Sequence, residues 1–357
     1  MEYYAGLDVS LEATSVCVVN ESGVIVCERK VVSDPDTIDQ ALRESGGSFK
    51  RIGLEAGPLS QWLYDGLRTH GWPVLCVDPR HMKASLSAMR NKTDKNDARG
   101  IAQMMRVGLY QVVHVKSRET HELRLLLTNR GVLRRKCLDI ENEVRGSLKI
   151  FGLKVGRVTK YTFERRVREL IGDRPRLETA IMPMLRARHA LFGEFNRLHR
   201  CVLKAVRGDD ICRRFTTMPG VGPITALAFK TAVEMPERFV KSKTVGAHFG
   251  LTPRKYASGQ IDYQGHISKC GDALMRTALY EAANVLLTRV RAASTLKTWG
   301  RRIAKRAGAK RARVALARRI AVVLHRMWCD GTEFCAIPPA GLRGGPIPAS
   351  APARSAG

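Results

Sequence analysis

The chain has 357 residues, enough for two packed domains with a connecting arm, and its 61 lysines and arginines outnumber 33 aspartates and glutamates to leave a formal net charge of +28. An excess of that size in a folded chain points to a polyanion as partner. No apolar run approaches the roughly 18 residues needed to span a bilayer, and the start is an acid and a strand rather than a basic, apolar leader, so a membrane partner is excluded and a soluble, cytoplasmic protein is expected.

Residues 3–30 read as three strands joined by tight turns: Tyr3–Val9, Ser15–Val19 and Val24–Glu28, with Asn20–Gly23 between the last two. A helix near Asp36–Arg43 follows, then a strand at Arg51–Ala56, a helix at Ser60–Thr69, a strand at Pro73–Asp78, and a helical pattern that opens at Asp94 and runs to Val107. A three-strand meander followed by alternating helix and strand is the order of an RNase H-like α/β domain. That order puts Asp8 mid-strand at the sheet centre, Glu55 on the neighbouring strand, and the late helix with Asp94 and Asp97 over both.

Asp94 and Asp97 are three residues apart and share one helix face. Carboxylates that close raise each other's pKa unless a divalent cation or basic neighbours offset the repulsion. Lys92, Lys95 and Arg99 are candidates for the second role, which would leave only a solvated, acid-capped helix start. Asp8 and Glu55 favour the metal, because each is an acid inside an apolar strand, where carboxylates are paired or coordinate a cation.

From Arg118 to about Lys149 the chain is charged and helical, with apolar residues at mixed three and four spacings, and a second such stretch runs from about Arg176 to Val206. Two long helices that cannot bury themselves alone predict a hairpin or coiled-coil arm and a dimer contact, or else a connector packed on its own protomer. Thr217–Ala226, with Gly220 and Gly222, leads into a helix, and a glycine-rich turn there exposes backbone N–H groups that can bind phosphate. This resembles the turn of a helix-hairpin-helix; a plain helix–helix turn is the alternative. A β-hairpin through Tyr256–Gly259 comes next, then a helix over Asp272–Val290. Lys297–Arg326 carries Arg301, Arg302, Lys305, Arg306, Lys310, Arg311, Arg313, Arg318, Arg319 and Arg326 without one acid. Such a run repels itself unless phosphates neutralise it, so it is read as nucleic-acid contact. The nine cysteines are scattered with no Cys-x-x-Cys pair, which argues against a zinc site or a disulfide framework.

The set Asp8, Glu55, Asp94 and Asp97, followed by Gly250–Arg254, Ser258–Gly259, His266–Lys269 and Gly271, resembles the insertion sequence 110 family of DEDD transposases, the bridge-RNA-guided recombinases. The resemblance spans about Tyr4 to Trp328. It implies an α/β plus mainly α protein: a RuvC-like nuclease domain over 1–115, a helical coiled-coil arm over 116–208, a C-terminal helical transposase domain over 209–335, and a disordered tail over 336–357. By position Ser258 would be the nucleophile, with Ser268 its nearest rival, acting with the four acids of another protomer in a dimer or tetramer. Arg254 and Lys269, close to the serine in sequence, are candidates to neutralise the phosphate. The partners implied are donor DNA, target DNA and a guide (bridge) RNA from the element's non-coding end.

Four carboxylates can hold Mg²⁺, or Mn²⁺, for in-line phosphodiester displacement. Two other readings stay open: a junction-resolvase-like nuclease that uses water and ignores Ser258, and a binding module whose acids are inert.

Overall fold

The computed structural model describes residues 1–86, 93–259 and 261–336. Two compact units divide at Ser117/Arg118. The expected tail falls almost wholly outside the described residues, as does Lys92.

The first unit is a mixed five-stranded sheet: β1 (Glu2–Val9), β2 (Ala13–Asn20), β3 (Ile25–Val32), β4 (Ser48–Glu55) and β5 (Val74–Val77). Its order is β3-β2-β1-β4-β5, with β1 antiparallel to β2 and parallel to β4. This is the arrangement expected of an RNase H-like domain. Among the described residues it is completed by the helices α1 (Pro35–Glu44), α2 (Ser60–Thr69), α3 (Pro79–Leu86) and α4 (Asp94–Val107).

The strands alternate faces with period two, so the sheet has two different cores. Ala5 and Leu7 of β1, with Ile52 and Leu54 of β4, pack on Ile38 and Leu42 of α1 and Leu63 and Leu67 of α2. Tyr4 and Cys17 on the opposite face meet Ile101, Ala102 and Met105 of α4. Each fully buried Leu or Ile stabilises by about 1.5–3 kcal/mol. α4 starts because the Thr93 side chain accepts the Asn96 N–H at 3.2 Å, and it stops at Gly108, whose φ of 77° suits a residue without Cβ.

The second unit begins with two long helices, α5 (Arg118–Lys149) and α7 (Pro175–Arg207), joined through α6 (Phe163–Ile171). They pack on each other, and they run antiparallel: Arg130 meets His199 at 3.2 Å, and Arg188 meets Glu141 at 2.7 Å. Arg188 is almost fully buried, so its charge needs that carboxylate and the Lys160 carbonyl 2.6 Å away.

Beyond them lie α8 (Asp210–Thr216), α9 (Pro223–Val233), α10 (Val245–His248), the hairpin β6 (Pro253–Ser258) and β7 (Ile261–Ile267), α11 (Ala273–Thr288), α12 (Thr295–Ala307) and α13 (Ala309–Cys329). α9 is buried along nearly its whole length and packs on α11, α8, α5 and α7 within this core. The basic run is therefore two helices, parted at Gly308, where φ is 85°.

Candidate active site

Glycines decide how the four acids are placed. A Cβ on Gly6 of β1 would lie 2.2 Å from the Ala98 carbonyl oxygen and 2.4 Å from the Ala102 nitrogen. The backbone of α4 therefore rests directly on β1. On β4, a Cβ at Gly53 would meet Ile101 and Met105 at 2.7 and 2.8 Å. Two residues further along the same face of each strand come Asp8 and Glu55. Gly6 pairs with Gly53 and Leu7 with Leu54, so the two acids follow as the next residues of adjoining parallel strands. α4 enters over this end with Asp94 as its first residue and Asp97 as its fourth. The pattern Gly-x-acid, present in both strands, is the sequence signal for this docking: glycine in a strand marks a close backbone approach.

Two rows of side chains cross the sheet beneath α4. Asp8 pairs with Ser15 and Ser15 with Lys30; Gly6 pairs with Cys17 and Cys17 with Glu28. Lys30 reaches Asp94 at 3.3 Å. Lys95 and Arg99, expected to screen Asp94 and Asp97, pair with Glu28, Lys95 at 3.0 Å and Arg99 through a fork. Those hydrogen bonds, Arg99 first, hold the Glu28 carboxyl down at about 2 against the opposing effect of burial. A groove of about 580 Å³ runs along this row, lined by Ser15, Cys17, Glu28, Lys30, Asp94 and Lys95.

The donor set, carboxylate oxygens at one edge of the sheet, suits a hard divalent cation. Among the described residues, no three His, Cys, Asp or Glu side chains converge tightly enough to hold a metal ion. The fit is thus in the backbone placement and the donor type.

In the second unit, Ser258 closes β6, a strand whose six residues are all exposed. It pairs with Ile261, beside the turn at Gly259, where φ is 56°. Ser268 lies at the other end of the hairpin, its N–H on the Thr252 carbonyl at 2.9 Å and its hydroxyl accepting the Cys270 N–H at 3.5 Å. Arg254 Nη2 donates to the Ser268 carbonyl at 3.4 Å, and Lys269 is held at a φ of 55°.

The base of the hairpin is built tightly. A Cβ on Gly250 would meet backbone atoms of Cys270 at 2.3 and 2.4 Å, and one on Gly271 would meet the His248 carbonyl at 2.2 Å. Arg276 of α11 then donates from one Nη to the carbonyls of Cys270, Gly271 and Phe249 at 2.7, 3.0 and 3.3 Å. Sequence reading had no role for Arg276, whose partners are all backbone atoms.

The remaining candidates divide by exposure. Gly220 faces inward: its Cβ would lie 2.6 Å from the Ala282 carbonyl of α11, so its absence of side chain serves helix packing. Gly222 is exposed at the N-cap of α9 with open space before it. Arg301, Arg302, Lys305, Arg306, Lys310 and Arg311 are exposed on α12 and α13. Arg313 is half-buried, and its Nε is enclosed with no hydrogen-bond partner among the described residues. Lys297, the start of the expected contact run, is 4% exposed and donates to the carbonyls of Val290, Arg291 and Ala292 in the turn between α11 and α12, which it closes.

Comparison with known proteins agrees with this division into an acid-bearing and a hairpin-bearing part. A DEDD transposase profile of the IS110 type matches residues 5–152, and the family described as "Transposase IS116/IS110/IS902 family" matches residues 212–299. The transposase for insertion sequence element IS1111A of Coxiella burnetii is 29% identical over 331 residues, covering 89% of this chain and 87% of that protein. A probable family 20 transposase of Pseudomonas aeruginosa is 28% identical, covering 79% and 83%. The transposase for insertion sequence element IS1328 of Yersinia enterocolitica is 24% identical, covering 74% and 79%. With both profiles matched in their proper order around the acids and the hairpin, the chain belongs to the IS110 family of transposases.

Proposed function

We propose that this chain cleaves and rejoins DNA strands through a phosphoserine intermediate, with Ser258 as nucleophile and Asp8, Glu55, Asp94 and Asp97 as the acidic half of the site. The observation that supports the reading is the paired Gly-x-acid strands beneath α4, with Asp8 and Glu55 on adjoining strands under the helix whose first turn carries Asp94 and Asp97. Bound to these oxygens, Mg²⁺ or Mn²⁺ would supply charge neutralisation at the scissile phosphate.

In the step itself, Ser258 Oγ attacks phosphorus, an Oγ–P bond forms and one P–O ester bond breaks. The serine proton ends on the departing oxygen, which leaves as a free strand hydroxyl. One phosphodiester replaces another, so attack by a second strand's hydroxyl rejoins DNA without a nucleotide cofactor. Ser258 suits this better than Ser268, because its strand is exposed whereas Ser268 is engaged at the hairpin base. A composite site, with acids and serine from different protomers, would make the active species a dimer or larger.

The exposed face of α12 and α13 and the open N-terminus of α9 at Gly222 are the surfaces we assign to nucleic acid, including a guide RNA held by shape and backbone. Neither helix contains an acid to compete with phosphate. Replacing Arg301 and Arg302 by alanine is expected to weaken binding evenly across sequences and lower the log–log salt slope by about 1 per lost contact.

The deciding experiment incubates the protein with Mg²⁺, end-labelled donor DNA and RNA transcribed from the flanking non-coding sequence. A protein–DNA adduct mapped to Ser258, dependent on RNA and lost in Asp8→Asn, is expected. Cleavage without adduct, indifferent to Ser258→Ala, would leave a hydrolytic nuclease.

A further inference from the structure

We infer that Tyr256 and Tyr263 form a stacking platform for an unpaired base of the DNA strand that Ser258 attacks; this rests on the reading of Ser258 above. The two tyrosines are direct cross-strand partners in the hairpin. Their ring centroids lie 5.5 Å apart with 30° between planes, and they are 55% and 57% exposed. Neither belongs to a buried cluster of the second unit. A cross-strand aromatic pair stabilises its own hairpin, by roughly 0.2–1 kcal/mol. That accounts for two adjacent rings and says nothing of what surrounds them.

The surroundings point to nucleic acid. Alternation along β6 puts Arg254, Tyr256 and Ser258 on one face, so the platform lies between a guanidinium and the serine hydroxyl. Exposed His266 and Lys269 lie towards the base of the hairpin, past the register shift opposite Arg254. The hairpin's one acid, Asp262, pairs with Ala257 in register and therefore lies on the other face, where it meets Lys255 at 3.2 Å. The tyrosine face thus carries two rings, the Arg254 guanidinium and a hydroxyl, and no strand carboxylate. Aromatic rings beside cations are how proteins hold single strands, because every base has a π face and every linkage a phosphate. A base unstacked onto this pair would set its own phosphate near the hydroxyl two residues away. The face commits to DNA because Ser258 shares it.

The test uses full-length protein in chelator, so that nothing is cleaved, with a short single-stranded DNA carrying 2-aminopurine at one position at a time. Binding is expected to quench the fluorophore at a preferred position. Tyr256→Ala and Tyr263→Ala should each weaken binding about tenfold, while Tyr256→Phe and Tyr263→Phe retain it. The alanine effect should vanish on DNA with an abasic site at the quenched position. No quenching anywhere, alanine variants that bind like the parent, or an equal loss on abasic DNA would each overturn the inference. So would quenching by RNA of the same sequence and not by DNA. Absence of a Ser258 adduct in the cleavage experiment would sink the nucleophile reading and leave this result standing.

Discussion

The acid-bearing and hairpin-bearing units are held by opposite means. Asp8 and Glu55 sit on a sheet packed on both faces, Asp94 and Asp97 on the helix that covers it, and their positions follow from how closely that helix can lie on two strands. Ser258 of the second unit rides on a two-stranded ribbon with an exposed outer strand, tied down at its base by Gly250, Gly271 and Arg276. On the reading proposed above, acids that share a cation would need a rigid frame. A serine that meets a DNA strand and later releases it would need access.

If packing alone positions the acids, the largest effect should come from a substitution that touches none of them. Gly6→Ala puts a methyl into the α4 backbone, which cannot yield as a side chain could. It is expected to cost at least about 3 kcal/mol in urea denaturation and to abolish cleavage. Gly53→Ala meets side-chain atoms of Ile101 and Met105 rather than backbone and should cost less. Equal costs at the two positions would show that α4 can shift, and would break the contrast.

Removing the tie at the hairpin base comes next. Arg276→Ala leaves three carbonyls without their donor, at about 1–2 kcal/mol. Adduct formation should fall more steeply than stability, since the hairpin loses its attachment while the first unit is untouched. A variant as active as the parent would mean that the ribbon is placed by something other than its base.

Glu28→Gln sharpens the other side. Its carboxyl is held at about 2 against an ordinary value of 4.5. The sign is that of a depressed acid: its contribution is fully present above pH 4.5 and disappears as pH falls towards 2. The variant should lose about 1 kcal/mol at neutral pH and show a shallower acid limb in its stability profile. An unchanged limb would show that Glu28 does not tie α4 to β3. The smallest effect on stability belongs to Ser258→Ala, within about 0.5 kcal/mol for an exposed strand end, even as the adduct is lost.

Much of this architecture was legible beforehand, and the parts that were not share a cause. Periodicity found α5 from Arg118 to Lys149, and the strand order and acid positions followed from apolar runs interrupted by single carboxylates. Those signals are local. Lys95 and Arg99 looked like neighbours of Asp94, and their carboxylate lies on a strand about 70 residues earlier. Gly220 read as a phosphate loop because its contact, α11, is remote in sequence. Charge and glycine take their meaning from what they touch, and touching is a tertiary property.

The dependence of the site on α4 also bears on when this protein becomes dangerous to the DNA around it. Domains form from the amino terminus during synthesis, and α4 is the last helix of the first unit to leave the ribosome. Until it settles onto Gly6 and Gly53, Asp94 and Asp97 are absent from the edge where Asp8 and Glu55 wait. A chain that ends before α4 can have a sheet, but it lacks Asp94 and Asp97. If the four acids act together as proposed, cutting waits for completion of this unit, and a copy broken before α4 is harmless to the DNA around it.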